Sequence, residues 1–151
     1  MSVDDALRLD EVSASQAHDL RRRVLRSHMP EAPVTSPEDD DAATVHVAAR
    51  RGDRIVGVVT MFLQGVPGRP GEPAMRFRWM AVDPVEQRTG VGSMLMREVF
   101  DRARAAGTTV LWANGRDTAL EFYTGLGFTV VGDAFDDEVS LLPHHLVVLD
   151  L

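Results

Sequence analysis

An α/β sandwich around one mixed β-sheet is the fold class this 151-residue sequence predicts. Three observations carry it. Apolar runs of strand length alternate with stretches of helical periodicity, in the order β α β β β α β α β β. Turn formers punctuate the boundaries, notably Gly52, the Asp83-Pro84 pair, Gly107 and Gly127. Hydrophobic residues make up 44% of the chain, enough at this length for one domain, 1–151, around one core.

Residues 6–12 alternate weakly through Leu7 and Leu9 and read as a first strand. Ser13 or Ser15 can cap a helix running to about residue 27, because a hydroxyl there accepts an otherwise unpaired amide. Ala17, Leu20, Val24 and Leu25 recur along it at helical spacing. Residues 30–42 (PEAPVTSPEDDDA) hold three prolines and an acidic run, and read as a solvated loop rather than a substrate lid. Residues 44–50 and 54–63 are rich in β-formers and flank Arg51-Gly52-Asp53, a hairpin signature. The turn-forming stretch 64–73 (QGVPGRPGEP) leads into a strand at 75–82. Helix 92–106 has Met94, Leu95, Val99, Phe100 and Ala103 as its buried stripe and stops at Gly107. A short buried strand (108–113), a short helix (117–126) stopped by Gly127, and closing strands at 128–131 and 146–151 complete the order.

Composition removes several classes of function. There is no cysteine, so disulfides, thiolate nucleophiles and Cys-based zinc sites are excluded. All 16 basic residues are arginine, which excludes Schiff-base lysines and the Walker-type phosphate loop. A net charge of −7 argues against nonspecific nucleic-acid binding, although residues 69–104 are locally basic. No apolar run approaches a membrane span, and residues 1–10 lack the apolar core of a leader, so the expectation is a cytoplasmic protein. The five histidines (His18, His28, His46, His144, His145) show no zinc-ligand spacing, and no metal is expected.

The most informative stretch is 79–96, WMAVDPVEQRTGVGSMLM. An apolar strand ends at Asp83-Pro84, a Gly-spaced loop follows from Gln87 to Gly92, and an amphipathic helix begins. Unpaired amides of a first helical turn, aided by the helix dipole, converge on an anion without needing lysine. A Cβ at Gly90 or Gly92 would hold a phosphate away or forbid the backbone conformation. The strand, the Gln-x-x-Gly-x-Gly loop and its helix resemble the signature of the GNAT superfamily of N-acetyltransferases. A second segment strengthens the likeness: 111–128 (LWANGRDTALEFYTGLGF) matches a strand and helix ending in Ala-x-x-Phe-Tyr-x-x-x-Gly-Phe, here Ala119, Phe122, Tyr123, Gly127 and Phe128.

The resemblance implies a mostly antiparallel sheet of six to seven strands, flanked by helices, with two parallel strands splayed around acetyl-CoA. Those strands map to 76–82 and 109–113. Pantetheine would pair with the backbone of Met80 and Val82, either side of Ala81. Pyrophosphate would sit on the amides of Arg88, Thr89, Gly90, Val91, Gly92 and Ser93, with the Arg88 side chain adding a charge-assisted contact. Gln87 holds a position where backbone outweighs side chain. Val91, like Met94 and Leu95, has a core side chain and offers only its amide. Ser93 either contacts the cofactor or satisfies nearby backbone. Asn114 either bridges to pantetheine or caps a turn at Gly115.

Tyr123 is the candidate catalytic residue. Acyl transfer from a thioester to an amine releases a thiolate, and a phenol near the sulfur can protonate it. The alternative is a core tyrosine bonded to backbone. Many relatives place a glutamate on the central strand as base; this strand carries Arg76 and Arg78 instead, with no carboxylate before Asp83. Candidate bases are Asp136, Asp137, Glu138, His144 and His145, histidine being the side chain that titrates near neutrality; bulk water is the remaining option, since proximity supplies much of the barrier reduction. The backbone amide of Val82 or a neighbour is the family's oxyanion donor.

The expected activity is therefore direct transfer of an acetyl group from acetyl-CoA to a primary amine in a ternary complex, no cysteine being present to carry it. The acceptor is expected to be a small molecule, with 29–43 and 65–73 walling the groove, and the acidic runs 39–41 and 136–138 attracting a cationic one. The alternatives are acetylation of a protein N-terminus or lysine, and a non-catalytic acyl-CoA sensor, which the missing base would suit. Many relatives dimerise through their closing strands, and 146–151 is apolar enough for a homodimer.

Overall fold

The computed structural model describes residues 6–151, so part of the 1–10 reading lies outside the described residues. The chain runs through β1 (Leu7–Val12), α1 (Ala14–Leu20), β2 (Val45–Arg51), β3 (Arg54–Leu63), β4 (Ala74–Val82), α2 (Val91–Ala105), β5 (Val110–Arg116), α3 (Leu120–Gly125), β6 (Thr129–Asp136) and β7 (Pro143–Asp150). Short turns join some of these: a π-helical turn at Arg21–Leu25, and 3-10 turns at Pro37–Asp40, Pro84–Glu86 and Asp117–Ala119. The seven strands form one sheet in the order β1-β2-β3-β4-β5-β7-β6. Every neighbouring pair is antiparallel except β4 and β5.

Helices cover both faces. On one, α2 seals Phe77, Leu111, Phe128 and Val147 beneath Val91, Leu95, Val99 and Ala103. On the other, Ala17 and Leu20 of α1 pack on Ala48, Val58 and Ala81. Fully burying an aliphatic side chain contributes about 1.5–3 kcal/mol, so the stripe of α2 is what fixes that helix on the sheet. Its closest approach is at Gly57 of β3, where an added Cβ would meet Val91 Cγ1 at 2.7 Å and Leu95 Cδ1 at 2.9 Å.

The expected element order is the observed one, with three differences in detail. The helix after Ser13 is shorter: Ser13 caps it through a capping box with Gln16, and regular α-helix gives way to the π-helical turn at Arg21. The closing strands are longer than their apolar cores, because β7 pairs on both sides and carries polar residues such as His144 and His145 with it. Strand 146–151 thus pairs with β5, and with β6 as far as Val148, and β6 is the edge on that side.

Loop 30–42 is not simply solvated. Asp39 is buried and forms a bidentate pair with the wholly buried Arg21, at 2.7 and 3.1 Å. Arg21 also donates to Val34 O and to Thr60 Oγ1, both at 2.8 Å. His46 completes the network, with Nδ1 2.7 Å from Thr60 Oγ1 and Nε2 3.1 Å from Asp39 O. A buried guanidinium demands this many acceptors, and an apolar stripe cannot reveal that demand.

Candidate active site

β4 and β5 pair in parallel only at Ala74↔Val110, Met75↔Leu111 and Arg76↔Trp112, and then part. The cause is a bulge in β4. Its ladder with β3 slips between Thr60↔Arg78 and Val58↔Ala81, leaving Trp79 and Met80 opposite one residue. Trp79 takes φ 57°, a left-handed conformation that costs a non-glycine residue on the order of 1–3 kcal/mol. Packing holds it there: Arg21 and Arg26 lie 4.6 and 4.8 Å over the indole ring, and Trp79 Nε1 donates to Ser36 Oγ at 3.0 Å.

Past the bulge, Asp83 N donates to Val56 O on β3 at 2.9 Å. Alternation along the strand then turns Ala81 toward β3 and the backbone of Met80 and Val82 toward the opened side. Ala81 itself is buried under α1 and acts as a spacer.

The loop beyond β4 is anchored by Glu86, which accepts from Arg51 at 2.7 Å and from Thr89 Oγ1 at 3.1 Å. The hydrogen bond to Arg51 holds its carboxyl below the usual range. The amides of Gln87 and Thr89 are already spent, on Pro84 O and Glu86 O. Gly90 caps α2 at φ 91° with no side-chain cap, and no acidic residue occupies the first turn. The first backbone bond into the helix is Met94 N to Gly90 O. Among the described residues, Gly90, Val91, Gly92 and Ser93 thus present amides with no backbone acceptor, beside the exposed Arg88. Val91 has a fully buried side chain. At Gly92 a Cβ would come within 3.3 Å of Phe122, so this glycine lets α2 and α3 meet. These features fit a diphosphate except at Gln87 and Thr89, whose amides already have backbone acceptors.

A cavity of about 380 Å³ runs along the parted strands. Met80, Val82, Gln87, Asn114 and Tyr123 line it, as do Arg26, Arg76, Arg78, Arg116, Asp137 and His144. Gly115 lies within β5, so there is no turn for Asn114 to cap. Tyr123 is 6% exposed, its ring clamped by Phe77, Phe122 and Phe128 at centroid distances of 5.6, 5.4 and 5.7 Å. Gly115 makes room for it, since a Cβ there would press on the ring at 3.1 Å. Its hydroxyl has no hydrogen-bond partner among the described residues, and burial raises the phenol above its ordinary value, keeping it a proton donor.

The two adjacent histidines part company. His145 pairs with Asp117 at 2.7 Å. His144 is buried at the cavity wall, with Nδ1 2.8 Å from Leu142 O. A carbonyl only accepts, so Nδ1 carries a proton, and in the neutral ring that leaves Nε2 as the acceptor. Asp137 also lines the cavity; burial raises its carboxyl, but bonds from Ser140 and Val139 bring it below the usual range. Sequence alone did not single out His144, whose place depends on the register of the final hairpin. Each acidic run has one carboxylate engaged internally, Asp39 by Arg21 and Asp137 by its own turn, while Asp40, Asp41, Asp136 and Glu138 are exposed.

The Acetyltransferase (GNAT) family model matches residues 10–128, most of the chain. The chain belongs to the GNAT acetyltransferases. It is similar to the uncharacterized N-acetyltransferase YitI of Bacillus subtilis strain 168, 22% identical over 142 residues, covering 94% of each protein. Among solved structures it resembles an acyl-CoA N-acyltransferase from Pseudomonas aeruginosa, at TM-score 0.74 and 16% identity, covering 95% of this chain and 99% of that one. A GNAT family acetyltransferase from Elizabethkingia anophelis, solved with acetyl-CoA bound, superposes with TM-score 0.68 at 15% identity, over 97% and 99% of the two chains. The chain is thus an acyltransferase with the GNAT sheet. No helix among its described residues is long and apolar enough to cross a membrane.

Proposed function

We propose that residues 1–151 form one cytoplasmic N-acetyltransferase domain that moves an acetyl group from acetyl-CoA to the primary amine of a small molecule, by direct transfer in a ternary complex. One observation carries this reading: a helix start with four amides lacking a backbone acceptor opens onto a cleft that leads to an unpartnered tyrosine hydroxyl. Acetyl-CoA supplies the activated thioester; the rest is the work of the chain. Gly90, Val91, Gly92 and Ser93 hold the diphosphate through backbone N–H groups. Met80 and Val82 pair with the pantetheine amides as a missing strand would, and Asn114 offers its free side-chain amide from across the cleft. The Val82 amide would serve as a donor to the acyl oxygen. Tyr123 donates its proton to the departing sulfur, and His144 Nε2 takes one from the amine, directly or through water. A cavity of about 380 Å³ is of a size for a small acceptor.

Free-thiol release measured across small amines and short peptides tests the assignment. Turnover with small amines is expected. Turnover with peptides alone would move the function to protein acetylation, and none with any acceptor would leave a sensor.

A further inference from the structure

The acceptor end of the cavity carries a charge opposite to that of the whole protein. Against a net charge of −7, its lining holds Arg26, Arg76, Arg78 and Arg116 with one carboxylate, Asp137. These arginines are poorly satisfied. Arg26 is 7% exposed, and its Nε has no partner among the described residues; neither does the buried Nε of Arg76. Arg26 and Arg116 both donate to Leu25 O, a single neutral carbonyl. Arg76 reaches only the Gln64 side chain, at 2.9 Å, and stacks 4.9 Å over Trp112. Glu38 forms an ion pair with Arg78 at 3.6 Å, too long for a hydrogen bond, so its buried Oε2 and the guanidinium are paired by charge alone. Asp137 is occupied by the amides of Val139 and Ser140.

Burial lowers the proton affinity of all four arginines; Arg116 and Arg78 lower that of Arg26 further, and Arg78 that of Arg76. Arginine does not deprotonate in response; Asp137 acts on all four and Glu38 on Arg76 and Arg78 in the opposite sense, and four guanidinium groups against two carboxylates leave an excess of positive charge for an anion to meet. That anion is not the diphosphate. Phe77 faces α2 in the main core, so its neighbours Arg76 and Arg78 project to the opposite face, against Trp112 and Trp79. The unpaired amides of α2 lie on the other side of the sheet.

We infer that the acceptor amine itself carries an oxyanion, a carboxylate or a phosphate, received by the guanidinium groups of Arg26, Arg76, Arg78 and Arg116. This rests on the acetyltransferase reading above and replaces the expectation of a cationic acceptor. It also explains why β4 carries arginines where a carboxylate was looked for: Arg76 and Arg78 bind, and the base lies elsewhere.

Calorimetry on the CoA-loaded protein tests it with matched acceptors: free amino acids, their methyl esters, aminoalkyl phosphates and polyamines. Charge-assisted pairs predict that the best anionic amine binds about 10- to 100-fold tighter than its neutral counterpart. Preference among the acids and phosphates identifies the oxyanion. Arg78→Gln and, separately, Arg116→Gln should each lose about tenfold toward the anion while CoA affinity is kept, showing the fold intact. Equal binding of acid and ester, preference for polyamines, or no binding by any anionic amine overturns the inference. Failure of CoA itself to bind would instead overturn the underlying function.

Discussion

Tyr123 combines two properties seldom found together, a ring locked by three phenylalanines and a hydroxyl without a partner. Phenylalanine in its place preserves every ring contact and deletes one proton donor. Tyr123→Phe should lower kcat by about 100-fold, within the range of general acid catalysis, and leave the Kd for CoA unchanged by calorimetry. An unchanged kcat would make Tyr123 a packing residue. Its candidacy was legible because Phe122, Tyr123, Gly127 and Phe128 form a local motif. His144 and His145 were both legible as candidates, but which of them faces the cavity was not, because that is decided by the pairing Arg116↔His144 and Phe135↔His144 across two other strands. The arginine cluster was not legible for a related reason. Arg76 and Arg78 were visible on the central strand, but only the fold brings Arg26 and Arg116 beside them.

The position of α2 governs the anion site, and Gly57 governs the position of α2. A methyl group there meets Val91 and Leu95, both fully buried, so the helix start must lift from β3. Gly57→Ala should cost about 1–3 kcal/mol in urea denaturation, as overpacked cores do, and weaken CoA binding several-fold. Lost stability with unaltered CoA affinity would separate the two. Strands and helices were otherwise well marked, since period-2 and helical patterns report which face is buried. The bulge at Trp79 escaped notice: no residue type announces a left-handed tryptophan, and the packing that imposes it comes from Arg21, Arg26 and Ser36, far away in the chain.

Across the molecule, Arg21 and Asp39 tie loop 30–42, the first helix and the centre of the sheet into the support for that bulge. Burial raises the Asp39 carboxyl, but Arg21 and the Ser36 amide outweigh it, so the folded value lies below the ordinary one. A carboxylate depressed by folding adds stability that is present above its unfolded pKa and lost as pH falls through the folded one. Asp39→Asn should destabilise by about 3–5 kcal/mol near neutral pH, by stranding a buried guanidinium. It should also flatten the acid limb of the urea midpoint against pH; a limb of wild-type steepness would assign acid sensitivity elsewhere. The central claim, that free amides at the start of α2 hold a diphosphate beside parted strands, is tested most directly by comparing CoA with pantetheine in calorimetry. Loss of charge-assisted hydrogen bonds predicts pantetheine binding weaker by about 100-fold or more; equal affinity for the two, or no CoA binding at millimolar concentration, would contradict it.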